Sequence, residues 1–67
     1  MPFSDHVLQI RRNVILRRLS RSGALSVETA KTLSEAGVSN PQAFPLVTEH
    51  LLSKGLIRKT DDGKYYL

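Results

Sequence analysis

Apolar positions in the first third of the chain recur with the spacing of a helix. One face carries four apolar side chains three or four positions apart, Phe3, Val7, Ile10 and Val14. A second apolar group adjoins this face, with Arg11 and Arg18 between the two, so that about half of the circumference is apolar. The pattern predicts a first helix over about residues 5–21, ended by Gly23. Two interpretations stay open: a central helix with several neighbours, or a helix that also packs against a second copy of the chain.

A shorter apolar pattern follows the first helix. Ser26 is a good N-cap residue, and Val27, Ala30 and Leu33 recur on one side of the segment. Gly37 ends the pattern. A second helix is therefore predicted over about residues 27–36.

Start and stop signals also enclose a third apolar segment. Asn40 can N-cap a helix that has Pro41 at its first position, and Gly55 can take the left-handed conformation that ends one, with Leu56 folded back. These signals predict a third helix over about residues 41–54. Its predicted core face carries Phe44, Val47 and Leu51.

Pro45 conflicts with this third helix. Proline cannot donate a hydrogen bond in a helix interior, and its ring clashes with the preceding turn. The alternative is a separate tight turn over residues 40–44, followed by a regular helix that begins at Pro45.

The last segment has the alternation and the turn residues of a β-hairpin, which is predicted over residues 56–67. Asp62 and Gly63 fit a two-residue type I′ turn, and that loop would pair Lys59 with Tyr66. The register gives a core face of Leu56, Tyr65 and Leu67 and an outer face of Ile57, Lys59 and Tyr66.

Composition narrows the classes of function. The 67-residue chain has no cysteine, which excludes a disulfide and a cysteine-based zinc site. Its two histidines lie far apart, and it has no glycine-rich phosphate loop and no nucleophile motif. We therefore expect no enzyme activity, no metal and no cofactor. No apolar run reaches the ~20 residues of a membrane span, so we expect no membrane partner and a cytoplasmic location.

The chain is basic, with a formal net charge of +4 and a pI of about 10.0. On so small a body this charge favours a polyanionic partner, which is DNA, RNA or an acidic protein surface. Five of the arginines lie in the predicted first helix, where they either form a binding surface or cover the core with their aliphatic stems. A basic amphipathic helix on a membrane is the weakest interpretation, because it exposes apolar residues that the core needs.

Three helices followed by a hairpin is the order of elements in the winged helix-turn-helix, and particular residues carry the same resemblance. The segment Ala36-Gly37-Val38-Ser39 resembles the turn before the recognition helix. The segment from Leu51 to Ile57 resembles the junction into the wing in MarR-like regulators, and residues 58–67 are similar to a short wing. The resemblance implies a mainly α, three-helix winged helix-turn-helix with a small β-hairpin as its wing. In such proteins the third helix enters the DNA major groove and the wing touches the backbone or the minor groove.

This interpretation predicts a small protein that binds double-stranded DNA, either a transcriptional regulator or an accessory factor associated with the nucleoid. The predicted nucleic-acid contacts are Ser39, Asn40, Gln42, Lys54, Arg58, Lys59, Lys64 and Tyr66. However, no arginine or lysine lies between Val38 and Lys54, and Glu49 would repel phosphate, so the third helix is poorly suited to reading bases.

The alternative function is a protein-interaction module that uses the apolar surface of the third helix at Leu46. A homodimer through the first helix is predicted beside either function. The predicted protein interface consists of Phe3, Val7, Ile10, Val14 and Leu46.

Overall fold

A computed structural model describes residues 5–67 of the chain, with side chains from Val7 onward. The elements, in order, are α1 (Asp5–Arg21), a 3-10 turn (Val27–Thr29), α2 (Pro45–Ser53), β1 (Arg58–Lys59) and β2 (Tyr65–Tyr66). The fold is mainly α with a small antiparallel hairpin. The prediction of a three-helix winged helix-turn-helix is wrong, because the described residues form two α-helices.

Helix α1 has the predicted bounds and ends at the predicted glycine. Gly23 adopts a φ of +78°, and the Ala24 N–H donates to the Leu19 carbonyl at 3.0 Å, which closes the helix with a glycine cap. Leu19 and Ile15 are fully buried, whereas no side chain from residue 7 to 14 is buried. Helix α1 therefore contributes to the core through its second half.

The predicted second helix over residues 27–36 is not formed, because the backbone leaves the helical conformation in its middle. Ala30 follows the 3-10 turn with a φ of −56° and a ψ of +147°. Lys31 then forms an isolated antiparallel bridge with Tyr65. A helix that continued through Lys31 would lose both hydrogen bonds of this bridge.

A second, separate turn begins directly after the bridge. The Thr32 N–H donates to Glu35 Oε1 at 2.9 Å, and the Glu35 N–H donates to Thr32 Oγ1 at 3.1 Å. These reciprocal bonds form a capping box, which satisfies the backbone donors at the start of a turn. Gly37 ends the turn with a φ of +88°. The segment therefore consists of two short turns that each have their own start signal.

Helix α2 begins at Pro45, so the predicted start at residue 41 is wrong and the alternative start is confirmed. Proline occupies the first turn, where the absence of its N–H costs no hydrogen bond. Phe44 precedes it in the left-handed conformation, with a φ of +53° and a ψ of +55°. Val47 and Leu51 are buried as predicted, but Phe44 is 46% exposed and its predicted place in the core is wrong.

The end of α2 follows the prediction. Gly55 has a φ of +74°, the Leu56 N–H donates to the Leu51 carbonyl at 3.0 Å, and the Gly55 N–H donates to the Leu52 carbonyl at 3.1 Å. These are the two hydrogen bonds of a Schellman ending. The ending turns the chain directly into the hairpin.

The hairpin pairs one residue away from the predicted register. The observed pairs are Arg58 with Tyr66 and Lys59 with Tyr65. The loop between Thr60 and Lys64 holds three residues, and the Gly63 N–H donates to the Thr60 carbonyl at 3.1 Å. Gly63 has a φ of +84°. The loop is therefore a type I turn followed by a left-handed residue, not the predicted type I′ turn.

The changed register exchanges residues between the two faces of the hairpin. Ile57, which was predicted on the outer face, is 1% exposed, and Leu56, which was predicted in the core, is 44% exposed. Lys59 lies on the same face as Tyr65, whereas Tyr66 lies on the opposite face, because successive side chains alternate. The predicted adjacency of Lys59 and Tyr66 is therefore wrong.

Strand β2 is hydrogen bonded on both of its edges. Beside its pairing with β1, Tyr65 exchanges two backbone hydrogen bonds with Lys31, and the Leu67 N–H donates to the Ala24 carbonyl at 2.9 Å. The strand thereby ties the end of α1 and the connecting segment to the hairpin.

The core lies between the second half of α1, the buried side of α2 and one face of the hairpin. Its buried apolar side chains are Ile15, Leu19, Ala24, Leu33, Ala36, Val38, Val47, Leu51 and Ile57. Among the described residues, neither helix combines the length and the apolar character that crossing a membrane requires.

Candidate interaction surfaces

Arg11 of α1 fixes the segment that precedes α2, which we call the 39–44 loop. Its Nη1 donates to the Ser39 carbonyl at 2.7 Å, and its Nη2 donates to the carbonyls of Asn40 at 2.9 Å and Ala43 at 3.2 Å. Asn40 and Phe44 both have positive φ, of +48° and +53°. Positive φ is uncommon for residues other than glycine and is a clear outlier for a bulky one. The guanidinium thus holds a strained loop through its carbonyl groups.

The loop leads into a run of exposed apolar residues at the start of α2. Leu46 is 77% exposed, Phe44 is half exposed, and Pro45 between them is also exposed. We call these three residues the Phe44–Leu46 surface. Strained backbone and a contiguous exposed apolar run are both features of binding surfaces.

A groove of about 430 Å³ lies between α2 and the hairpin. Its walls include Pro45, Thr48, Glu49, Leu52, Lys59 and Tyr65. The Lys59 Nζ lies 5.9 Å from the centroid of the Tyr65 ring, which is within the ~6 Å range of a cation–π interaction. The groove therefore offers a cation, a carboxylate and apolar walls to a ligand beside the Phe44–Leu46 surface.

The structure separates the predicted nucleic-acid contacts. The carbonyls of Ser39 and Asn40 are engaged by Arg11, while Gln42 lines the groove. The hairpin contacts divide between its faces, with Lys59 on one, and Arg58, Lys64 and Tyr66 on the other. Lys54 is the C-cap of α2 and is exposed. These predicted contacts therefore lie on the 39–44 loop, at the end of α2 and on both faces of the hairpin.

Lys64 lies in the field of two carboxylates. The hydrogen bond from the Thr32 backbone lowers the pKa of Glu35, and the positive charge of Lys64 lowers it further. The pKa of Asp62 is lowered first by the hydrogen bond from the Thr60 hydroxyl and also by the charge of Lys64. These two carboxylates partly balance the charge that Lys64 would offer to a phosphate.

Beside Arg11, helix α1 carries four further arginines. Arg12 is half-buried, and the exposed members are Arg17, Arg18 and Arg21. Arg18 and Arg21 lie in the last turn, where cations also interact favourably with the helix dipole. No acidic residue follows Asp5 in this helix.

The predicted dimer interface is exposed in its described part. Val7 is 48% and Ile10 49% exposed, and Val14 is half-buried. Phe3, the fourth residue of this prediction, lies outside the described residues. The first half of α1 therefore presents apolar side chains to solvent.

Sequence reasoning did not find the role of Arg11. The available signal was its position between the two apolar groups of the first helix, which directs its stem toward the body of the protein. Its three acceptors lie 28 to 32 positions away in the chain, so no local pattern connects them. From Val7 to Leu67, no three histidine, aspartate or glutamate side chains come together as a metal site would require.

Comparisons with protein-family models, with curated proteins and with solved structures gave no match. The described residues form a small, mainly α fold with a hairpin.

Proposed function

We propose that this chain is a protein-interaction module that binds its partner through the Phe44–Leu46 surface. The observation that carries the proposal is the 77% exposure of Leu46 beside Phe44, which Arg11 helps to hold in a left-handed conformation. Aromatic and aliphatic side chains of this kind serve as anchors in the cores of protein interfaces. A backbone that is already set loses less conformational entropy when the partner binds.

The chemistry around this surface suits a protein better than a phosphate backbone. No arginine or lysine lies between Val38 and Lys54, and Glu49 is exposed on α2. A phosphate backbone would be repelled by Glu49 and would leave Leu46 without an apolar contact. The net charge of +4 would attract an acidic partner toward the chain as a whole, while the surface itself contributes apolar contacts.

The test compares Leu46→Asp with wild type in a pull-down, followed by affinity measurement with the purified partner. Ser34→Asp is the matched control, because it adds the same charge at an exposed residue of a different turn. We expect wild type and Ser34→Asp to retain the partner and Leu46→Asp to lose it. Thermal melting checks that all three proteins are folded. Retention of every partner by Leu46→Asp would contradict the proposal.

Binding to double-stranded DNA is a second candidate function. It is supported by the exposed arginines of α1, Arg17, Arg18 and Arg21, together with the net charge of the chain. Contacts between such side chains and phosphates release counterions, so each contact adds affinity that falls as salt rises. Of the predicted hairpin contacts, Arg58, Lys59 and Lys64 carry a positive charge.

The test measures binding of labelled duplex DNA and of RNA at ~50 and ~200 mM salt, a range over which phosphate contacts weaken strongly. We expect retention at the lower salt and a marked loss at the higher salt. Replacing Arg17 and Arg21 by glutamine, or Lys59 and Lys64 by alanine, should weaken binding for every sequence tested. If neither DNA nor RNA is retained at the lower salt, this candidate is excluded.

A homodimer through the first half of α1 is compatible with either function. It is supported by the exposure of Val7 and Ile10, which a second copy of the chain would cover. Sedimentation of wild type and Ile10→Asp at matched concentrations tests it. We expect a dimer for wild type and a monomer for the variant, and a wild-type monomer would exclude the proposal.

A further inference from the structure

We propose that Arg11 is a positioning residue, which presets the 39–44 loop before any partner arrives. The conformation that Arg11 sets is independent of any partner. Only the role of that conformation, which is to present the Phe44–Leu46 surface, rests on the proposed function.

The geometry of the guanidinium is suited to this role. Its two terminal nitrogens donate to the carbonyls of Ser39, Asn40 and Ala43 at 2.7 to 3.2 Å, which fastens the loop at both of its ends. Hydrogen bonds from a charged donor are stronger than neutral ones. The rigid fork of arginine can reach several acceptors at once, whereas lysine offers a single point charge on a flexible stem.

The loop needs such an external support. Its backbone contains one internal hydrogen bond, from the Ala43 N–H to the Asn40 carbonyl at 2.8 Å. Both Asn40 and Phe44 have left-handed backbones, and residues of this kind persist where their surroundings hold them. Phe44 lacks a side-chain cap, so the start of α2 receives no support from a capping hydroxyl or carboxylate. Arg11 supplies the contacts that the loop does not make for itself.

This arrangement connects α1 to the Phe44–Leu46 surface. When Arg11 holds the carbonyl of Ala43, it fixes the peptide that enters Phe44 and therefore the direction of the Phe44 side chain. Without the guanidinium, Phe44 would relax toward extended backbone, which is the favoured region for a bulky residue.

The experiment measures amide hydrogen exchange by NMR in wild type, Arg11→Lys and the matched control Arg17→Lys, which alters an exposed arginine of the same helix. We expect Arg11→Lys to accelerate exchange of the Ala43 amide by about tenfold or more, because local opening then competes with fewer hydrogen bonds. The Tyr65 amide, which is bonded to Lys31, should exchange as in wild type. The ¹³Cα shift of Phe44 should move away from its left-handed value.

Wild-type exchange and shifts in Arg11→Lys would overturn the inference. Equal acceleration at Ala43 and Tyr65 would also overturn it, since Arg11 would then support the whole fold instead of the loop. If Arg11→Lys loosens the loop while Leu46→Asp keeps every partner, the inference stands and the proposed function fails.

Discussion

The backbones of Lys31 and Tyr65 exchange two hydrogen bonds, with the Lys31 N–H 2.9 Å from the Tyr65 carbonyl and the Tyr65 N–H 2.7 Å from the Lys31 carbonyl. This bridge places the connecting segment beside β2, on the edge opposite β1. It also explains why the chain between α1 and α2 breaks into two turns, because a helical Lys31 could not form it.

Substitution at Lys31 tests the contribution of this bridge. Lys31→Pro removes the N–H donor, and we expect it to lower the free energy of unfolding by about 1–3 kcal/mol, as for the loss of one buried hydrogen-bond partner. Lys31→Ala keeps both bonds and should change that free energy by less than about 0.5 kcal/mol. Urea denaturation measures both variants, and equal effects would show that the side chain matters instead of the bridge.

Glu35 should make stability depend on pH. Its pKa is lowered below the ordinary value of 4.5 by the hydrogen bond from Thr32, so the ionised form is favoured in the folded state. The stability that Glu35 contributes is therefore present above pH 4.5 and is lost as the pH falls through the lowered pKa. We expect Glu35→Gln to melt below wild type near neutral pH and the two melting temperatures to converge in acid. A constant difference across this range would contradict the assignment.

The hairpin register predicts opposite outcomes for two neighbouring residues. Ile57→Ala empties a fully buried site and should cost about 2–5 kcal/mol of unfolding free energy. Leu56→Ala removes a half-exposed side chain and should cost less than about 1 kcal/mol. Denaturation of both variants measures the difference. The reverse order would support the type I′ register that the sequence alone suggests.

At position 44 we expect glycine to give a more stable protein than alanine, which is the reverse of the usual order in a helix. Because the φ of Phe44 is +53°, we expect Phe44→Gly to be more stable than Phe44→Ala by about 1 kcal/mol, the cost of a left-handed conformation for a residue with a Cβ. Both variants remove the same aromatic ring, so thermal melting of the pair isolates the backbone effect. An alanine variant that melts at or above the glycine variant would show that the residue can leave this conformation.

The features that were predicted correctly from the sequence depend only on residues that are close together in the chain. Gly23 and Gly55 end the two helices, because each adopts the left-handed backbone conformation that residues with a Cβ disfavour. The first helix needs only its own apolar spacing, and its bounds follow from that.

The errors arise where two local signals compete or where a distant partner decides. Pro41 and Pro45 both fit the first turn of a helix, and the clash of an interior proline decides for Pro45. The break between the two turns at Lys31 depends on a bridge to Tyr65, which no window around residue 31 contains. The sequence of the hairpin loop is compatible with two or three loop residues, and the packing of Ile57 selects three.

The candidate site was predictable in part. The exposure of Leu46 could be predicted, because Leu46 lies on the side of the helix away from the buried residues Val47 and Leu51. Its place in the first turn of α2 could not, because the helix was predicted to begin at residue 41. The contacts of Arg11 with the 39–44 loop join two distant segments, and one sequence provides no means of pairing them.

Strand β2 pairs with β1 on one edge and with Lys31 on the other, and this central position constrains the order in which the protein can fold. The hydrogen bonds within α1 join residues close in sequence, but Ala24 and Lys31 find their strand partners only in residues synthesised more than thirty positions later. Pairing across such separations slows folding. Until the residues of β2 have been synthesised, the backbone groups of Ala24 and Lys31 therefore lack these partners.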